Sequence, residues 1–325
     1  MLFEERPQGV ESEIAQLEAR LHDMRAQLDQ STYPTPPSSH PDKSWTLPSS
    51  TIYNNKNPQF NSNTTRSTSL HALLLLSDSA LPLGSFAFSS GLESYLAHNK
   101  SRRTNANPVS SFHHFLKLSI ASIASTSLPY VLAAYRHPQT LDTLDNDLDA
   151  STPCVVAQRA SVAQGRALIG VWERAFRASF ASPGKCMSDN YEDAEAKTAT
   201  SAIDEFSDAL KSSFEDVDEY DLGPRGHFAP LWGVVCRAMG LDLQQTAYTF
   251  VLNHAKAVLS AAVRASVMGP YQAQNILASQ SLQDTIMARI EREWNTEPEE
   301  AGQVVPALDL WIGRHELLYS RIFNS

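Results

Sequence analysis

Between Ser77 and Glu93 the chain reads Ser-Asp-Ser-Ala-Leu-Pro-Leu-Gly-Ser-Phe-Ala-Phe-Ser-Ser-Gly-Leu-Glu. Small hydroxyls, two phenylalanines, a proline and two glycines are concentrated in one short stretch. Hydroxyl chemistry would require a base beside Ser85, Ser89 or Ser90, and the local sequence supplies none. Gly-x-Ser-x-Gly is missing, because Phe88 stands where the first glycine of such an elbow around Ser90 would be. The histidines fare no better as metal ligands. His113 and His114 are adjacent, so on a helix they point about 100° apart, and His227 and His254 are isolated in the sequence. No Gly-x-x-x-x-Gly-Lys-Ser/Thr phosphate loop, Gly-x-Gly-x-x-Gly run or His-Glu-x-x-His pair occurs. The catalytic and metal assignments are therefore both none. The second unusual stretch is the carboxyl end, Arg314-His315-Glu316 with Tyr319-Ser320-Arg321-Ile322-Phe323-Asn324-Ser325. Chain ends commonly turn polar and fray, whereas Arg and aromatic residues are typical of contact surfaces. Docking on a partner and docking on the chain's own domain both fit.

The elements that must position these stretches are helical throughout. Pro82 and Gly84 break the chain after the apolar run Leu70–Leu76, and Ser89 or Ser90 can cap a helix through His98 with Glu93 in its first turn. Phe112, Phe115, Leu116, Ile120 and Ile123 share one broad face of the next helix, and Pro129 kinks that helix or starts a further one. Helical spacing returns over Val155–Phe180 and again from His227. Gly240 is expected to end one helix, Asp242 to cap the Ala-rich helix that follows, and Gly269-Pro270 to separate two more. No useful β-alternation appears. The expected fold is all-α: a single multi-helix bundle over 69–325, with a separate N-terminal helix within 1–30 and a disordered linker over 31–68. Within 11–29, Ile14, Leu17, Leu21, Met24 and Leu28 form an a/d seam. It suits packing on the same protein or on a partner. The linker is rich in Pro, Ser, Thr and Asn and has little apolar surface to offset ordering entropy.

The net charge of −10 over 325 residues is local. Ser182–Pro224 holds twelve acidic residues and three lysines, a balance of −9. Its weak periodicity reads as a solvated, disordered insert over 183–224, one that carries no specific metal site. The remainder is near neutral, and the short basic run Lys100–Arg103 does not make a nucleic-acid surface. Uninterrupted apolar runs fall short of the roughly 18 residues a membrane span needs. Cys154, Cys186 and Cys236 are scattered, which suits a reducing compartment such as the cytoplasm.

Residues 76–93 closely resemble the first signature of the UreF urease accessory proteins. Gln158-Arg159 through Gln164-Gly165, Gly226-His227-Phe228 and the terminal Arg314–Ser325 resemble three further family motifs, in the same order. The likeness spans about 70–182 and 225–325. The signature often carries His at the position of Phe88 and Gly at that of Ser85, so a nickel-handling role for that His has no counterpart in this chain. The resemblance implies an all-α, dimerising chaperone that is not itself an enzyme. It would bridge a UreD/UreH-type protein and the GTPase UreG, with apo-urease as client, and nickel would be handled transiently by the complex with no stably bound cofactor. It also implies that Arg314, His315, Glu316, Tyr319, Ser320, Arg321, Phe323 and Ser325 face the UreD/UreH side, and Pro82, Gly84, Phe86 and Glu93 the UreG side. Two rivals remain: an all-α enzyme with a Ser/His site in the 77–93 turn, and a helical scaffold.

Overall fold

The structure, a computed structural model, describes residues 64–99, 108–181, 191–213 and 223–324, together with Ala19. The expected seam helix, nearly all of the expected linker and Ser325 lie outside the described residues. Among the described residues twelve helices carry the fold: α1 (Thr64–Ser77), α2 (Leu92–Asn99), α3 (Pro108–Thr126), α4 (Leu128–Arg136), α5 (Leu141–Ser151), α6 (Val155–Val171), α7 (Tyr191–Ser212), α8 (Phe228–Ala238), α9 (Leu243–Arg264), α10 (Pro270–Leu277), α11 (Gln280–Glu293) and α12 (Pro306–Gly313). No strand occurs among the described residues. The all-α expectation is borne out.

Local chemistry explains the boundaries. Asp242 accepts from the Gln245 amide at 2.7 Å, and the Gln245 side chain accepts from the Asp242 amide, a reciprocal cap that starts α9. Pro129 is the second residue of α4, and Pro270 is the first of α10. α6 runs on through a π-helical stretch, Trp172–Phe176, to Phe180. The wider turn there leaves Trp172 and Phe176 buried. α1 begins at Thr64, five residues before the expected start at 69, so the last part of the expected linker is helical.

α8 lies at the centre, packed on α4, α6 and α7. A Cβ on Gly233 would fall 2.3 Å from the Val131 carbonyl oxygen, so glycine is what lets α8 and α4 approach this closely. α9 packs on α3 and α4, and its alanines Ala255, Ala261 and Ala262 are fully buried. Pro108–Arg136 is apolar and long enough to pass as a membrane span by composition, yet 72% of its most apolar window is buried inside the bundle and a break at Ser127 divides it into two helices.

One expectation is overturned. The acidic 183–224 segment is not a solvated loop throughout, because Tyr191–Ser212 is a helix of 22 residues. Ala199, Ile203, Phe206 and Leu210 recur at spacings of four, three and four, and all are buried. The acids sit on the other faces. Arg237 of α8 pairs with Glu195 at 2.6 Å, tying α7 to the bundle.

Candidate functional site

The Pro–Gly turn and the carboxyl end, which lie more than two hundred residues apart, meet on one face. Gly84 adopts φ 73°, and Ser85–Ala87 makes a single 3₁₀ turn. The Ser89 hydroxyl accepts from the Glu93 amide at 3.3 Å and so caps α2. α2 then presents the Glu93 carboxylate, whose side chain is only 12% exposed, to the end of the chain. Its oxygens accept from the backbone amides of Ile322 (2.7 Å) and Phe323 (3.2 Å) and lie 2.9 Å from Nε2 of His315. The amide of Asn324 donates to the Ala87 carbonyl at 2.8 Å. Arg264 of α9 donates to the Phe86 carbonyl and lies over the Phe323 ring, 4.5 Å from its centroid. Burial in this site lowers the pKa of the Arg264 guanidinium.

The two expected surfaces are therefore one structure. His315 and Phe323 are buried in the chain's own domain, and the Nδ1 atom of His315 is buried without a hydrogen-bond partner among the described residues. Arg314, Glu316, Tyr319, Ser320 and Arg321 are exposed, as are Pro82 and Gly84, while Phe86 is half-buried. Leu317, Tyr319 and Ile322 carry large apolar surface into solvent beside this latch. Glu316 pairs with Arg159 of α6 at 2.6 Å, which holds its carboxyl below the usual range. The carboxyl end thus also touches the Gln158-to-Gly165 stretch.

A second buried cluster joins two of the other sequence stretches. Asp145, fully buried, accepts from the amides of Arg225 (2.6 Å), Gly226 (3.0 Å) and His227 (2.5 Å). His227, also fully buried, lies 3.0 Å from Ser161 through Nδ1 and 3.0 Å from Asp149 through Nε2. A Cβ on Gly165 would fall 2.1 Å from the Gly226 carbonyl oxygen, so the Gln-Gly and Gly-His stretches need glycine to touch. Sequence reasoning missed Asp145 and Asp149, since acids on an amphipathic helix look like an ordinary solvated face.

Serine–histidine contacts do exist, though not in the 77–93 turn. Besides Ser161–His227–Asp149, Ser119 lies 2.8 Å from His254. Ser119 and Ser161 are both inside helices, where neighbouring backbone amides are engaged in the helix ladder and cannot form an oxyanion hole. Ser161 already accepts from the Phe228 amide at 3.2 Å. Burial lowers His254 to about 4, too acidic a conjugate acid for an effective general base near neutrality. His113 and His114 are exposed, and no cluster of three metal-ligating side chains occurs among the described residues.

A family model described as UreF matches residues 107–281. A Schizosaccharomyces pombe protein named as urease accessory protein UreF-like is 38% identical over 263 residues, covering 79% of this chain and 98% of its own. Urease accessory protein F of Arabidopsis thaliana is 30% identical over 257 residues, 77% of this chain and 90% of its own. The Oryza sativa protein of that name is 30% identical over 254 residues, 76% and 82%.

Proposed function

Because the chain belongs to the UreF family of urease accessory proteins, we propose that it is a non-catalytic assembly chaperone that bridges a UreD/UreH-type protein and the GTPase UreG while nickel is inserted into apo-urease. Nickel is then cargo of the complex. The reducing cytoplasm is the compartment this reading requires, and a homodimer is its working form.

The carrying observation is the exposed face of the carboxyl end. Leu317 is 76% exposed, Ile322 63% and Tyr319 fully so, on a segment whose backbone is already held by Glu93. A surface that is ordered before binding loses less entropy on association. Arg321, exposed beside them, can form a charge-assisted contact with an acidic partner group. Phe323 supports this surface from beneath and is not itself a free anchor.

Pull-down of the UreD/UreH-type protein tests the assignment. Tyr319→Ala and Arg321→Ala, both at exposed positions, are expected to weaken capture at least tenfold without changing the helical circular dichroism. Unchanged capture by both variants would remove the carboxyl end from the interface. UreG recruitment, measured separately with Pro82→Ala, addresses the turn; undiminished recruitment would count against that half of the reading.

A further inference from the structure

Behind the turn lies a cavity of about 370 Å³, walled by the 77–90 stretch and by α1, α3, α6, α9 and α12. This is within the range of pockets that enclose small organic ligands. Phe86, Phe88, Phe250, Ile123 and Ile312 give it a largely apolar lining. Against them α3 sets a polar stripe, Ser119, Ser122 and Thr126, at helical spacings that place all three on one face.

These hydroxyls are not equally occupied. Thr126 donates to the Ser122 carbonyl at 2.8 Å, and Ser119 is joined to His254. The side-chain hydroxyl of Ser122, a residue only 5% exposed, has no hydrogen-bond partner among the described residues. The hydroxyl opens onto the cavity, where it is free to pair with a ligand atom as donor or acceptor. The ionisable carboxylates and ammonium on the lining are Lys256 against Asp78 and Asp309, a balance of −1. Lys256, which also borders the cavity, donates to the Ser77 carbonyl at 2.6 Å and lies 3.5 Å from Asn253 Oδ1. Asp309, on the wall, accepts from Gln303 at 2.8 Å, and its charge opposes an anion. An anionic ligand group would thus be desolvated beside Ser122 against a net negative lining.

We propose that this cavity binds an uncharged amphipathic small molecule, its one hydroxyl or carbonyl hydrogen-bonded to Ser122 and its hydrocarbon against Phe86, Phe88 and Phe250. The ligand sits inside a single chain, so the site does not depend on the partners named above.

The test uses the full chain and a neutral, carbonyl-bearing naphthalene dye, 6-propionyl-2-(dimethylamino)naphthalene, with 1-octanol and octanoate as competitors. Saturable one-to-one binding with a blue-shifted emission is expected, displaced by 1-octanol at concentrations at least tenfold lower than by octanoate. Ser122→Leu, which fills the cavity, should weaken dye binding at least tenfold. Ser122→Ala, which removes only the oxygen, should weaken it about fivefold and serves if leucine proves too large to fold. Non-saturable binding, equal displacement by octanoate, or wild-type affinity in the serine variants would overturn the proposal.

Discussion

At the scale of single residues, Glu93 and Asp145 do comparable work in different places. Each is a mostly or fully buried carboxylate that gathers backbone amides from a distant segment. Hydrogen bonds to a charged acceptor are worth about 1.5–3 kcal/mol each, and removing the charge leaves the donors in place but weakly satisfied. Glu93→Gln is therefore expected to lower stability by about 2 kcal/mol and to abolish hydrogen-exchange protection of the Ile322 and Phe323 amides; retained protection would mean the carboxylate does not hold the carboxyl end. His254 gives a pH signature. Its folded pKa of about 4 lies below the ordinary 6.5, so between those values the unfolded chain binds the extra proton. This contribution to stability is complete above about pH 6.5 and lost as the pH falls toward 4, on the order of 3 kcal/mol in all. His254→Gln, which keeps a partner for Ser119, should flatten that part of a denaturation-versus-pH curve. Neither Ser119 nor Ser161 should react with a fluorophosphonate probe, and labelling of either would revive the enzyme reading.

At the scale of elements, most of the bundle was legible because its signals are strong and local. Pro129, Asp242 and Gly269-Pro270 each mark a boundary by chemistry that acts within one turn, and each boundary is where the structure has it. α7 was not legible. Its apolar stripe begins with Ala199 and is interrupted by the buried Ser207, while twelve acids across the region dominate its composition. Phe206→Ala should cost about 3 kcal/mol, the range for truncating a buried aromatic, whereas a solvated loop would show no loss. The joining of the turn to the carboxyl end was equally invisible, since a contact between residues 93 and 323 leaves no mark on local spacing. Gly165 reads as a poor helix residue in sequence, and only the approach of Gly226 explains it. Gly165→Ala is expected to destabilise by about 3 kcal/mol through forced separation of α6 from the 225–228 segment, read as a lowered denaturation midpoint.

At the scale of the whole molecule, the fold sets a helical body behind one composite face. That face combines the Pro–Gly turn, the docked carboxyl end and the Arg159–Glu316 pair between α6 and the terminus. Family membership makes the chain an accessory factor of urease, and our proposal places partner assembly on the composite face. Of the balance of −9 in Ser182–Pro224, α7 itself carries six acids against two lysines, a balance of −4.

The most direct measurement is the metal content and activity of urease purified from cells that make every other component but lack this chain. The account predicts full-length urease that is nickel-poor and inactive, restored when the intact chain is resupplied and not when Tyr319→Ala with Arg321→Ala is supplied in its place. Fully metallated, active urease in cells without the chain would contradict it.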